Sequence, residues 1–398
     1  MNRVLFYIII ITICSVDVFS MSQKPLLVRF TGDTIHTTIP EYHLRFPKKK
    51  LNDEFVRDFY NQIESADLSI LVADMKAYQQ YRKLDDWLYY QFVRSVAQAI
   101  SPKSDNYYLY TLYKWYLLNK SGYDATLSLS KNHLLFYVQS EDNIYGIPYF
   151  HKGEKQYVCL NYHDYREINF LKNPPIQTST IIDEGQKAFS YKIEHMPDFN
   201  SELYTDKTIQ FDYYDKLYHF TIKLNPVIKN LFTNYPVPDF ETYFNIPLSK
   251  QTYQSLIPEL KRHIDTMSET QGIDYLMRFT RYGFLFENDQ KYFGKEKRLS
   301  PEQTLLYEYS DCDDRAALFF YLVKELYNKP MIALLYPTHI TIAVELEPTS
   351  DAITIEYQGA HYTVCEPTPQ KDDLKIGELP KHLLHQEYKI IYAYHPHK

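Results

Sequence analysis

The sequence predicts an α+β fold containing two related copies of one unit, and three observations lead there. A helix opening on Ser310-Asp311-Cys312-Asp313-Asp314-Arg315 runs apolar as far as Val323, and alternating strand-like segments follow it. Sliding the chain against itself by 206 residues, without a gap, lays Leu112 on Leu318, His133 on His339, Val138 on Val344, Gly153 on Gly359 and Val158-Cys159 on Val364-Cys365. Helical and strand-like periodicities also occupy separate blocks of the chain, as α+β architectures require.

In chain order, residues 24–39 carry a hairpin pattern with its turn near Gly32-Asp33. Residues 52–100 read as helical, because Phe55, Phe59, Ile63, Leu68, Leu71 and Met75, and then Trp87, Tyr90 and Val96, recur at helical spacing until Ser101-Pro102 stops the run. An aromatic helix over 106–118 ends at Ser121-Gly122, with β-like runs at 125–129, 134–139 and 156–161. Residues 176–225 are β-rich, with a hairpin signal around Asp215-Lys216, and 226–247, holding four prolines, read as a linker. Helices are expected over 254–266 and 273–286, and Ser300-Pro301-Glu302-Gln303 has the form of a helix start. These readings divide the chain into a signal peptide (1–20), an N-terminal β segment (21–50), a degenerate first copy (51–170), a β-rich connecting region and linker (171–248) and the complete second copy (249–398).

The signal-peptide reading rests on Met1-Asn2-Arg3, the apolar run of 4–14 and small residues before a cleavage point after Ser20. Ile13 before Cys14 does not suit lipidation; an uncleaved anchor is the alternative. No later apolar run is long enough to span a bilayer, so an exported protein of the periplasm or cell envelope is expected. The net charge of −7 and the lack of any basic run interleaved with aromatics exclude a nucleic-acid partner. Without Cys14, three cysteines remain, Cys159, Cys312 and Cys365, an odd number that argues against a disulfide framework. Cys159 and Cys365 sit in β-like apolar runs and read as buried small hydrophobes.

Cys312 differs. With Ser310 as N-cap and Asp313 as its capping partner, the thiol stands where free helix N–H groups point outward; these favour the thiolate and can hold an oxyanion. His339 follows 27 residues on and Glu366 a further 27. Thiol catalysis needs these three types: the imidazole takes and returns the proton, and the carboxylate orients the ring and steadies its charged form. His339 and Glu366 lie at the ends of two alternating segments, which must pair antiparallel for them to meet. In the first copy Asn106 falls on Cys312 and Leu160 on Glu366, so that copy lacks the chemistry. No metal site is expected, the carboxylates of Asp311, Asp313 and Asp314 reading as caps and solvated charge, and no cofactor.

At Asp311-Cys312-Asp313-Asp314-Arg315, the His339 strand and Glu366-Pro367-Thr368, the chain resembles the transglutaminase-like superfamily of papain-like cysteine enzymes. The resemblance covers about residues 270–370; residues 279–294 and 300–306 also look like the lead-in of exported bacterial members. It implies a papain-like transglutaminase core and a thioacyl-enzyme acting on peptide or glutamine amide bonds, by hydrolysis or by transfer to an amine. Where the family has Asp as third residue, this chain has Glu366. The implied partner is a peptide or protein substrate; the oligomeric state is left open. The alternatives are a non-catalytic binding or assembly module of the cell envelope built on the same fold, and a β-rich surface protein with no cleft near Cys312.

Overall fold

A computed structural model describes residues 22–42, 50–165, 168–183, 185–294, 296–347 and 350–396. The expected signal peptide, Cys14 included, lies outside the described residues.

The first half opens on an antiparallel hairpin, β1 (Gln23–Phe30) and β2 (Asp33–Pro40), followed by helices α1 (Asp53–Ala66), α2 (Ser69–Arg82), α3 (Asp86–Ile100) and α4 (Tyr107–Lys120). Strands β3 (Ala125–Ser130), β4 (His133–Gln139), β5 (Ile144–Tyr145), β6 (Tyr149–Lys152), β7 (Lys155–Cys159) and β8 (Ile176–Gln177) come next. The second half begins with a second hairpin, β9 (Thr205–Tyr213) and β10 (Lys216–Leu224), then α5 (Val227–Leu231), β11 (Val237–Pro238), α6 (Phe240–Phe244), α7 (Lys250–Ile264) and α8 (Glu269–Tyr282). Short pieces β12 (Leu285–Phe286), α9 (Asp289–Tyr292), α10 (Pro301–Leu306) and β13 (Tyr309–Ser310) lead to the long α11 (Cys312–Tyr327). Strands β14 (Met331–Tyr336), β15 (His339–Glu345), β16 (Thr354–Tyr357), β17 (Ala360–Cys365) and β18 (Lys389–Tyr394) complete the chain.

The fold is α+β, and its two halves share one topology. Each holds a five-stranded antiparallel sheet, in the order β6-β7-β4-β3-β8 and β16-β17-β15-β14-β18, so third, fourth, second, first and fifth strands follow one another in both. The central hairpins match in register: Ser130 pairs with His133 and Ala125 with Val138, as Tyr336 pairs with His339 and Met331 with Val344. The next ladder slips by one residue, Tyr137 facing Cys159 where Ile342 faces Cys365. The leading hairpins correspond too: β1 packs on α3 and β2 on α2, as β9 packs on α8 and β10 on α7. The second hairpin, residues 205–224, belongs by packing to the helices after it.

Two expectations need adjusting. Residues 52–100 form three helices, because Asp67 and Lys83 adopt left-handed backbone (φ 56° and 50°) and end α1 and α2. The proline-bearing stretch 226–247 is packed structure and no free linker: its short helices bury Ile228, Leu231, Tyr243 and Phe244. Prolines suit it because Pro226 caps α5 and Pro238 sits in a two-residue strand.

One hydrophobic core runs through both halves, from Leu26 to Cys365. Across the junction, Trp87 Nε1 donates to the Leu231 carbonyl at 2.9 Å, Tyr235 Oη donates to the Tyr191 carbonyl at 2.6 Å, and β11 pairs with β5. Among the described residues no helix is long and apolar enough to cross a membrane.

Candidate active site

The start of α11 is set one residue later than the sequence suggests. Asp311, not Ser310, is the N-cap: its carboxylate accepts from the N–H of Asp313 at 3.1 Å and of Asp314 at 3.5 Å, and Asp314 answers by accepting from the Asp311 N–H at 3.3 Å. The capping box is therefore Asp311–Asp314, and Cys312 is the first helical residue. This cap uses two of the three first amides; the Cys312 N–H is the one left for an oxyanion.

Behind the tip the helix is buried on every side from Asp314 to Val323. Arg315, fully buried, fixes its position by donating to the carbonyls of Thr280 at 3.0 Å, Arg281 at 2.7 Å and Phe284 at 3.0 Å, which ties α11 to the end of α8. Asp314 accepts from Tyr243 Oη at 3.0 Å and the Leu299 N–H at 2.8 Å. The helix lies against β15.

His339 opens β15 after the two-residue turn Pro337-Thr338, and Glu366 follows the last residue of β17. Because β15 and β17 pair antiparallel, Glu366 comes back alongside His339. The imidazole Nε2 and Glu366 Oε2 lie 2.7 Å apart. Glu366 is fully buried; its second oxygen accepts the Thr368 N–H at 2.8 Å, and Arg281 donates to its backbone carbonyl, so the carboxylate is aimed from both ends.

The thiol itself is turned elsewhere. Cys312 Sγ is 3.4 Å from Asp313 Oδ1, and no hydrogen bond joins it to His339. The Ile340 N–H acts on the sulfur in favour of its charged form. Burial, then the charges of Asp313 and Asp311, push the thiol well above its ordinary pKa. Desolvation and two adjacent carboxylates thus oppose the thiolate that the helix end favours. Carboxylates crowd this side of the helix. Burial and Asp311 raise Asp289 to about 8, and Asp311 and Asp314 are raised by burial and by their neighbouring carboxylates.

Asp313 is in turn 3.5 Å from Arg298 Nε, whose guanidinium lies over the Phe240 ring. Arg298 lines a cleft of about 540 Å³ between the halves, walled by Trp87, Tyr145, Tyr191, Tyr235 and His163. Arg298 and then Asp313 connect this cleft to the sulfur. Gln303, the last residue of the expected helix start, spends its Oε1 on the Ser300 N–H at 3.0 Å, while its Nε2 is buried without a partner among the described residues.

The matching place in the first half is filled. Asn106 is an N-cap, accepting from the Leu109 N–H at 3.1 Å, and so matches Asp311; Tyr107, not Asn106, takes the position of the thiol. Its hydroxyl donates to Asp164 at 2.9 Å and accepts from Asn161 at 2.8 Å. His133 keeps its place at the start of β4, but its Nδ1 is 3.1 Å from the Ser130 carbonyl and its ring packs edge-on to Tyr165. With the one-residue slip of that ladder, Asn161, and not Leu160 as the ungapped sequence match has it, stands where the carboxylate would, its amide donating to the Tyr107 hydroxyl at 2.8 Å and the Leu134 carbonyl at 2.9 Å. Cys159 and Cys365 are buried free thiols, each pushed up by burial.

No family model, curated protein or solved structure matches the chain.

Proposed function

We propose that the protein is an exported transglutaminase-like cysteine hydrolase or acyltransferase acting on peptide or glutamine amide bonds. The observation that carries this reading is the His339–Glu366 pair, 2.7 Å long and anchored by a fully buried carboxylate, beside the strand against which the Cys312 helix tip rests. With Nε2 committed to Glu366, Nδ1 is the ring nitrogen left to take the thiol proton. The sulfur then attacks the amide carbonyl, and the imidazolium returns that proton to the departing amine, leaving a thioacyl-enzyme. Water or a second amine attacks the thioester and restores the thiol. The reaction begins with the sulfur turning from Asp313 toward His339, with Arg298 retaining Asp313. The cleft beside Arg298 is the approach for a peptide chain.

The second reading, a non-catalytic binding or assembly module, is favoured by one observation: the resting thiol faces a carboxylate and is held protonated. Iodoacetamide labelling followed by peptide mapping separates the two. The enzyme reading expects Cys312 to be alkylated selectively at neutral pH, with the rate collapsing in His339→Ala, and a thioacyl adduct visible by intact mass with an amide or ester substrate. Without Cys312-selective labelling and without any adduct, the enzyme reading fails.

A further inference from the structure

A cavity of about 550 Å³ opens in the first half between β1, α3, the start of α4 and α5, away from Cys312, and basic and amide side chains dominate it: Arg29, Gln91, Arg94, Gln98, Lys103 and Asn230. Tyr110 forms part of its wall, with the ammonium of the buried Lys114 4.5 Å from the ring centre on that residue.

The charges here do not balance. Lys103 and His163 both pair with the single carboxylate of Asp164. Among the described residues Arg29, Arg94 and Lys114 form no ion pair. Arg94, half-buried, bonds a neutral acceptor, Gln91 Oε1 at 2.8 Å, and its charged form, which burial opposes, is favoured by Tyr90, Tyr110 and, at longer range, the same Asp164 carboxylate. That bond leaves the other end of the same amide, Gln91 Nε2, buried without a partner in a side chain that lines the cavity. Gln91 is 7% exposed, so water does not readily satisfy it. Burying cations and a donor without acceptors is costly, and proteins normally offset that cost with a counter-charge. The second half does so: Arg278 and Arg281 on α8, the helix that packs like α3, both meet Asp373, and Arg281 also donates to the Leu374 carbonyl. Among the described residues of the first half no carboxylate touches Arg94, and Asp164, already shared by Lys103 and His163, acts on it only at longer range. Lys114 reports the same excess, its amine lowered to about 7 by burial, with Arg94 and Lys103 adding to the shift against Asp164.

We propose that this cavity binds a small oxyanion, a phosphate or carboxylate group, held by the Arg94 guanidinium and the free Gln91 amide with Arg29 at the rim. A planar guanidinium and an amide N–H are donors suited to two oxygens of one such group. The inference does not depend on the thiol chemistry proposed for the second half.

The test is thermal unfolding of the full chain at neutral pH and constant ionic strength, titrating inorganic phosphate or acetate against chloride. Expected is a rise in Tm that saturates with a half-effect near or below about 1 mM for at least one anion. Saturation by phosphate alone assigns a phosphate ester, and saturation by acetate assigns a carboxylate. Arg94→Gln should weaken the half-effect at least tenfold; Arg29→Gln, at an exposed position, should weaken it without disturbing the fold. A response no greater than that to chloride, or one that persists in Arg29→Gln with its half-effect unchanged, overturns the proposal.

Discussion

Two carboxylates flank Cys312, and their fields oppose the helix end on which it sits. Neutralising one should release the thiol: Asp313→Asn is expected to move the midpoint of the pH–alkylation profile of Cys312 downward and to speed labelling at neutral pH several-fold, under either functional reading. An unchanged profile would mean that burial and Asp311 hold the proton without Asp313. Asp289 makes a second residue-scale prediction. Its native pKa of about 8 lies above the unfolded value near 3.9, so between about pH 4 and pH 8 the native state binds the extra proton and stability falls as pH rises. Asp289→Asn removes that slope while keeping the acceptor for the Lys297 N–H. Denaturant midpoints for variant and parent should agree at pH 4 and diverge toward pH 8, with the variant more stable. The residue types of the candidate site were legible in the sequence because Cys312, His339 and Glu366 each end a periodic segment. The thiol's field was not, since it depends on how deeply the helix tip is buried and on which residue caps the helix. Asp311 and Ser310 are both good caps, and only the tertiary partners of Asp314 decide between them.

At the scale of elements, periodicity located the helices well and their ends poorly. Phe55 through Met75 keep an apolar face across Asp67, so the break there is invisible to spacing; it comes from a left-handed residue that any side chain but glycine adopts at a cost. Prolines misled in the opposite sense over 226–247, where apolar residues between them dock on the core. The joint that matters most is between α8 and α11, carried by Arg315. Replacing Arg315 by Ala leaves three buried carbonyls without their donor and takes one cation from beside Asp314, at an expected loss of about 3–5 kcal/mol. Arg315→Lys should recover little of it, because one ammonium on a flexible stem cannot reproduce the fork. Urea unfolding monitored by circular dichroism measures both, and a full rescue by Lys would show that charge, not geometry, holds the joint.

For the whole molecule, the 206-residue correspondence was readable because the central strands β3 and β4 match β14 and β15 without a gap, and the single-residue slip enters only at β6 and β7. The matching leading hairpins were not, since they lie outside the ungapped stretch and share packing partners instead of residues. The halves nevertheless share their interior: one core runs from Leu26 to Cys365, and Trp87, Tyr191 and Tyr235 pack together where α3 meets the segment before α6. Two independent domains would keep separate cores and unfold separately. A shared core implies that exposing one half strips apolar surface from the other, so calorimetry of the full chain should show a single transition whose calorimetric and van't Hoff enthalpies agree. Trp87→Ala, which removes the indole and its bond to the Leu231 carbonyl, should lower that one transition as a whole, by about 3–5 kcal/mol at the midpoint. If the scan resolves two transitions, and Trp87→Ala shifts only the one assigned to the first half, the halves are thermodynamically separate. The cleft between them would then be a hinge and not a fixed wall of the Cys312 site.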